Sequence, residues 1–135
     1  MTRVLVPLAA GVEEMEAVII IDVFRRAGWK VDAVGLTPGI VEASRGVRLQ
    51  PDATWHEVDP GGYDVMALPG GNLGTQNLIT DERVLTALRH HHEAGRLVAA
   101  VCAAPLVLQK AGIIHNRRVT CHPAAAEKLT SGRRI

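Results

Sequence analysis

Apolar and polar positions along this chain are sorted into blocks. Arg3–Leu8 is an aliphatic run of strand length, closed by the breaker Ala9-Ala10-Gly11. Lys30–Leu36, Tyr63–Leu68 and Leu97–Val101 repeat the theme. Apolar strands without polar alternation, separated by helices, belong in a parallel sheet covered on both faces. Between them the spacing turns helical: Val84, Leu85 and Leu88 form one face over Asp81–Glu93, and Ala104–Ala111 reads as a helix. The stretch 38–57 holds short extended pieces at Val41–Ala43 and Val47–Leu49, with turns at Pro38-Gly39, Gly46 and Pro51-Asp52. Arg118–Cys121 is expected as a short last strand, and Pro123–Leu129 as a helix opening on a proline suited to its first turn. No closing strand is expected at Gly132-Arg133-Arg134-Ile135.

Over Glu13–Ala27 propensity and context disagree. Val18, Ile19, Ile20, Ile21 and Val23 favour a strand. The segment is nevertheless long, opens on Glu13, Glu14 and Glu16, and closes on Arg25-Arg26-Ala27-Gly28. Acids first, bases last and a glycine beyond suit a helix with its dipole complemented. Its apolar residues run around most of the circumference, so it is expected to be buried by its own chain on several sides or to meet a second copy.

The chain's 135 residues suit one domain. Its 15 Lys+Arg against 14 Asp+Glu give no bulk attraction for a polyanion, and Phe24, Trp29, Trp55 and Tyr63 make no stacking platform for nucleic acid. Two cysteines are no disulfide framework, and a reducing, cytoplasmic setting is expected. The apolar start reads as a first strand rather than a signal peptide, and no run approaches the roughly 20 apolar residues a bilayer crossing needs.

The chemistry is expected beyond the carboxyl ends of the strands, where ligands gather in open parallel sheets. Glu16 follows the first strand, Gly70-Gly71-Asn72 the third main strand, Cys102 the fourth and His122 the last. Cys102 lies in Val101-Cys102-Ala103-Ala104-Pro105, where small neighbours permit the tight turn of a nucleophile elbow. A helix amino terminus there would favour the thiolate; a buried, inert cysteine is the alternative. Glu16 is either a surface acid on the helix dipole or a buried, protonated carboxyl donating to the sulfur. Gly70-Gly71 offers amides to an oxyanion or is an ordinary turn. His122 is a general base or a surface histidine. Cys121 is expected to pack. His90-His91-His92 diverge on a helix and read as a solvated helix end, not a metal site.

Three strings carry a resemblance: Val12-Glu13-Glu14-Met15-Glu16-Ala17-Val18, Leu68-Pro69-Gly70-Gly71-Asn72-Leu73-Gly74 and Ala100-Val101-Cys102-Ala103-Ala104-Pro105. Together with Ser44-Arg45-Gly46-Val47 and Thr120-Cys121-His122-Pro123, they resemble the ThiJ/PfpI superfamily over about Arg3 to Gly132. The match is to the branch of the parkinsonism-associated deglycase/chaperone and the YajL-like bacterial proteins. The resemblance implies a flavodoxin-like three-layer α/β sandwich, an elbow at Cys102, a protonated Glu16 on the sulfur, and an oxyanion or sulfinate pocket from the amides around Gly71 and Ala103. His122 would lie close by, Arg45 and Arg26 near the pocket rim and dimer interface, and the Glu13–Ala27 helix in a homodimer contact. Peptidase-like members carry histidine after the elbow cysteine; Ala103 stands there, which argues against a protease. Relatives continue beyond Gly132 with further strands and a closing helix, so the domain over 1–135 is expected to lack its C-terminal segment.

The expected function is a cysteine-dependent protective enzyme on small reactive carbonyls, glyoxalase- or deglycase-like. Cys102 would form the hemithioacetal, and Glu16 or His122 would move protons. The alternative is a redox-responsive chaperone in which oxidation of Cys102 is the signal. No metal or organic cofactor is implied.

Overall fold

The computed structural model describes residues 1–135, apart from the side chain of Arg134. Its order is β1 Arg3–Leu8, α1 Glu14–Arg26, β2 Lys30–Gly35, β3 Val41–Glu42, β4 Arg48–Leu49, β5 Ala53–Thr54, β6 Val65–Leu68, α2 Asn72–Ile79, α3 Glu82–Glu93, β7 Leu97–Ala100, α4 Pro105–Ala111, β8 Arg118–Val119 and β9 Arg133–Arg134. Short 3₁₀ turns occupy Trp55–Glu57, Pro60–Gly62 and Pro123–Lys128.

The central sheet runs β5-β2-β1-β6-β7, every pairing parallel. Its two faces divide the core. Val4, Val6, Leu8, Val31, Ala33, Val65 and Ala67 point to the side covered by α1. Leu5, Val34, Met66 and Leu68 point to the side covered by α2, α3 and α4, through Leu78, Val84, Leu85, Leu88 and Val107. That is a three-layer α/β sandwich, and it explains why the strands lack polar alternation.

The strained propensity of α1 resolves as expected. Glu13 is the N-cap, its carboxylate accepting from the Met15 amide at 3.3 Å, and Arg25 and Arg26 fill the last turn. Ala17 is buried, with Ile20, Ile21 and Phe24 partly so. The opposite face is bare: Met15, Val18, Ile19 and Val23 are 69%, 50%, 56% and 54% exposed. The chain's own elements therefore do not bury this helix on several sides.

Four local expectations change. β8 lies outside the main sheet; it pairs in parallel with β9, so Arg133–Arg134 does form a short strand. The stretch after Pro123 is a 3₁₀ turn. The glycine-rich string after β6 runs directly into the unanticipated helix α2, with Gly71 (φ 101°) as its cap residue. His91 is 1% exposed, because it shares a helical face with Val84 and Leu88; its Nε2 lies 2.8 Å from the Pro60 carbonyl, while His90 and His92 stay outside.

Candidate functional site

The site opens between β1 and β6, where connections leave the sheet in opposite directions, the position at which ligands bind in doubly wound folds. After β1 the chain turns at Gly11 and enters α1; after β6 it turns at Gly70-Gly71 and enters α2. The Glu13 amide donates to the Gly70 carbonyl at 3.0 Å and locks the two turns together. Gly74 fits because a Cβ there would stand 2.7 Å from the Cα of Val12.

Cys102 follows β7 with φ 59°, a left-handed conformation that a non-glycine residue adopts only where the surroundings enforce it. The Val101 amide donates to the Leu68 carbonyl at 3.2 Å, and the His122 amide to the Cys102 carbonyl at 2.8 Å. The thiol is half-buried, in contact with the Glu16 carboxyl and the amides of Gly71 and Ala103. Gly70 makes the room: a Cβ there would lie 2.7 Å from Glu16 Oε1, 2.9 Å from Cys102 Cβ and 3.1 Å from the Ala103 nitrogen. The Gly70 amide donates to Glu16 Oε1 at 2.8 Å and holds the carboxyl beside the sulfur.

Burial pushes the Cys102 thiol above the ordinary cysteine range, and the Glu16 carboxylate pushes the same way. The amides of Ala103 and Gly71 pull it back without prevailing. The expected thiolate-favouring helix terminus is not met, since α4 starts only at Pro105 and buried position and a neighbouring acid outweigh the nearby amides.

A cleft of about 1200 Å³ opens over the sulfur, lined by Met15, Glu16, Arg45, Leu73, Leu106 and His122 among others. Asn72, Gly71 and Ala103 line it too; Gly70 lies buried directly behind the wall, and Arg26 lines a separate depression on α1 with Val18 and Ile21. His122 follows β8, outside the main sheet, and is tied to the site by its backbone N–H, which donates to the Cys102 carbonyl. Its Nδ1 accepts from the Ala124 amide at 3.0 Å, which puts the proton of the neutral ring on Nε2. His122 is exposed, and its ring can thus donate a hydrogen bond from Nε2. Cys121 is partly buried against the core, as expected of a packing residue.

Two residues at this edge escaped sequence reasoning. Thr75 lines the cleft from α2, and its buried Oγ1 has no hydrogen-bond partner among the described residues. Glu14 is buried, and its carboxylate accepts from Ser44 Oγ at 2.7 Å and the Arg45 amide at 2.9 Å. Burial alone would raise its pKa, but hydrogen bonds from its own amide, Ser44, Arg45 and Val47 hold it down at about 2. A separate depression of about 380 Å³ beside β5, lined by Gln50, Asp52 and His56 among others, contains no cysteine. Among the described residues, no group of three or more His, Cys, Asp and Glu side chains converges as a metal site, and no helix is long and apolar enough to cross a membrane.

A parallel α/β sandwich with a left-handed cysteine at the strand ends, faced by a carboxyl and two amides, defines an elbow-cysteine protein. Residues 2–135 match the model of the DJ-1/PfpI family, and the chain belongs to that family. It is 44% identical over 132 residues to the zebrafish Parkinson disease protein 7 homolog, covering 96% of this chain and 70% of that protein. It is 33% identical over 120 residues to a Caenorhabditis elegans protein named glutathione-independent glyoxalase DJR-1.2, covering 89% of this chain and 63% of that one. The crystal structure of Drosophila melanogaster DJ-1beta superposes with a TM-score of 0.95 at 39% identity, covering 99% of this chain and 73% of that chain. Toxoplasma gondii DJ-1, described as oxidized, superposes at 0.91 with 36% identity, covering 96% and 71%.

Proposed function

We propose that this chain carries a cysteine-dependent activity on small reactive carbonyls. The observation behind the reading is the left-handed Cys102, its sulfur between the Glu16 carboxyl and the Gly71 and Ala103 amides at the floor of an open cleft. The nematode relative's name supports it. In this reading Glu16 carries a proton when the thiolate forms. A carboxylate repels a thiolate; a protonated carboxyl donates to it, and the sign of the Glu16 contribution reverses.

The Cys102 thiolate adds to the aldehyde carbon, and the carbonyl electron pair moves onto oxygen. That oxyanion lies against the Gly71 and Ala103 amides and takes a proton from Glu16 to give the hemithioacetal, with His122 Nε2 as a hydrogen-bond donor beside it. Glu16, now ionised, removes the proton from the adduct carbon. With a 2-oxoaldehyde, its return to the neighbouring carbonyl carbon, while the hemithioacetal hydroxyl proton passes to that carbonyl's oxygen, oxidises the first carbon to a thioester and reduces the second to an alcohol. Water then releases a hydroxy acid and restores the thiol. Asn72 and Arg45 contact the bound substrate, and the bare stripe of α1 docks a second copy.

The pH profile of Cys102 alkylation, read by intact mass beside Glu16→Gln and Cys121→Ser, tests this. Full reaction near about pH 6, unaffected by Cys121→Ser, marks an activated nucleophile. Reaction only above about pH 8, as for an ordinary thiol, removes the reading.

A second reading draws on the oxidized state of the Toxoplasma relative: oxidation of Cys102 is itself the signal, and holdase binding the output. Cys102→Ser separates the two. Loss of aldehyde turnover with holdase function intact favours the enzyme; loss of an oxidation-induced holdase gain favours the sensor.

A further inference from the structure

The turn that carries Arg45 is too short to be rigid by itself. Ala43 to Val47 is closed by two backbone bonds, Ala43 N to Val47 O at 2.8 Å and Gly46 N to Ala43 O at 3.0 Å, around Gly46 at φ 82°. Its partner strands β3 and β4 contribute two residue pairs, Val41 with Leu49 and Glu42 with Arg48. Arg45, Gly46 and Val47 are exposed, and a free turn of this kind would wander.

What fixes it is a carboxylate from another element. Glu14, in the first turn of α1, reaches into the turn and takes Ser44 Oγ at 2.7 Å and the Arg45 amide at 2.9 Å, with the Val47 amide further off at 3.4 Å. Two alternate backbone N–H groups, those of Arg45 and Val47, thus converge on one carboxylate, while the Gly46 amide between them donates to the Ala43 carbonyl. Ser44 Oγ also lies 3.1 Å from Glu13 Oε2, but one hydroxyl proton serves one acceptor at a time and the Glu14 contact is shorter. A third backbone bond, Ser44 N to Val12 O at 2.8 Å, ties the same turn to the residue before the helix cap. Arg45's own side chain is 77% exposed and held weakly, its Nη1 3.9 Å from Glu13 Oε2.

We propose that Glu14 is a positioning residue for the Cys102 site: by holding the backbone of Ser44–Val47 it keeps Arg45 on the cleft wall, where that cation draws negatively charged electrophiles toward the sulfur. The proposal rests on the reading of Cys102 as the nucleophile, and it assigns Glu14 no contact with substrate.

Charge makes the test decisive. Replacing Glu14 by glutamine removes a negative charge near the cleft, so through-space electrostatics alone would speed an anionic reagent. Loss of positioning would slow it. The two effects have opposite signs.

The experiment compares alkylation of Cys102 by iodoacetate and by iodoacetamide, at fixed pH and ionic strength, with the modified site resolved by mass. The ratio of the two rates cancels thiolate content and reports the field at the sulfur. Arg45→Met is expected to lower the ratio several-fold. Glu14→Gln is expected to lower it to a similar value with the iodoacetamide rate kept, and the double variant to fall no further, as for residues acting through one another. Ser44→Ala, which keeps the carboxylate and removes one donor, should give a smaller fall and stands in should Glu14→Gln not fold. An unchanged or raised ratio in Glu14→Gln overturns the proposal; so does a collapse of the iodoacetamide rate, which would make Glu14 a support of the elbow itself. If wild-type Cys102 takes neither reagent, the nucleophile reading fails on its own. Hydrogen exchange at the Arg45 and Val47 amides then still decides the latch: protection slower than in a free peptide and lost in Glu14→Gln supports it, and free-peptide exchange in the wild type overturns it.

Discussion

Helices α1 and α3 have similar lengths, 13 and 12 residues, and cover opposite faces of one sheet by different means. α3 is sealed by packing: Val84, Leu85, Ala87 and Leu88 are all buried, its polar residues point outward, and even His91 is taken inside. α1 buries Ala17 and half-buries a few neighbours, then leaves four large apolar side chains in the open. What ties it down is polar. Glu14 holds the Ser44–Val47 turn, and Arg25 donates to the Val31 carbonyl and to Asp52, both at 2.9 Å. The packed helix lies away from the thiol; the polar-tethered one supplies Glu16 to it. Packing stabilises a position by volume, whereas hydrogen bonds specify it by direction, and a carboxyl beside a sulfur needs direction.

The strongest way to break this contrast is to cut one apolar side chain from each helix. Leu88→Ala, at a site with no exposure, is expected to cost about 2–5 kcal/mol and to lower Tm sharply in thermal denaturation. Ile19→Ala in dilute protein should stay within about 0.5 kcal/mol. If Ile19→Ala costs as much as Leu88→Ala, the bare face is covered in solution; sedimentation velocity of Ile19→Glu against wild type would then show the lost association. Next in size is Gly70→Ala, which sets a methyl against Glu16, Cys102 and Ala103 at once. Overpacking of about 1–3 kcal/mol is expected, together with a changed rate of Cys102 alkylation. Gly28→Ala is the contrast: a Cβ there meets nothing within 4 Å, so its cost comes from the left-handed backbone (φ 84°), whereas Gly70 is not left-handed and its cost comes from overpacking.

The same contrast marks what could be read from the chain and what could not. β1, β2, β6, β7, α1, α3 and α4 lie within a residue or two of their expected positions, because each follows from local period and end signals. Gly70, Gly71 and Cys102 were legible as the turns between such elements. α2 was hidden by Gly74, which reads as a breaker yet is there to let the helix approach Val12. His91 was legible in principle, since it continues the Val84 and Leu88 stripe, but the run of three histidines obscured it. Glu14 gave no local signal at all: its partners lie 30 or more residues away, and beside Glu13 and Glu16 it looks like one more acid on a helix dipole. The raised pKa of Cys102 also depends on contacts that close only in the fold.

Acid should loosen the two faces unequally. The folded Glu14 carboxyl is held at about 2, against 4.5 as the ordinary value. A group with a depressed folded pKa contributes its stability above the unfolded value and loses it as pH falls through the interval. Between pH 4.5 and about 2 the wild type should therefore lose stability that Glu14→Gln does not have to lose. Thermal denaturation of both proteins across that range checks it, the expected result being converging Tm values. Parallel curves would mean that the latch carbonyl-side contacts survive protonation.

The smallest expected effect is on the outer surface of α1. Arg26 Nε lies 2.7 Å from Asp22 Oδ1 one turn earlier, with 78% and 52% of the two side chains exposed. Exposed helical pairs at this spacing are worth about 0.3–0.5 kcal/mol, and salt erases most of that. Asp22→Ala should accordingly change thermal stability by no more than this, and by less still at high salt. The pair flanks the depression formed by Val18, Ile21 and Arg25, on the same side as the bare stripe. A cost well above this range that persists in salt would place the pair in a desolvated setting, which the single chain does not provide. α1 would then be a helix sealed by a neighbour rather than one held only by its polar tethers.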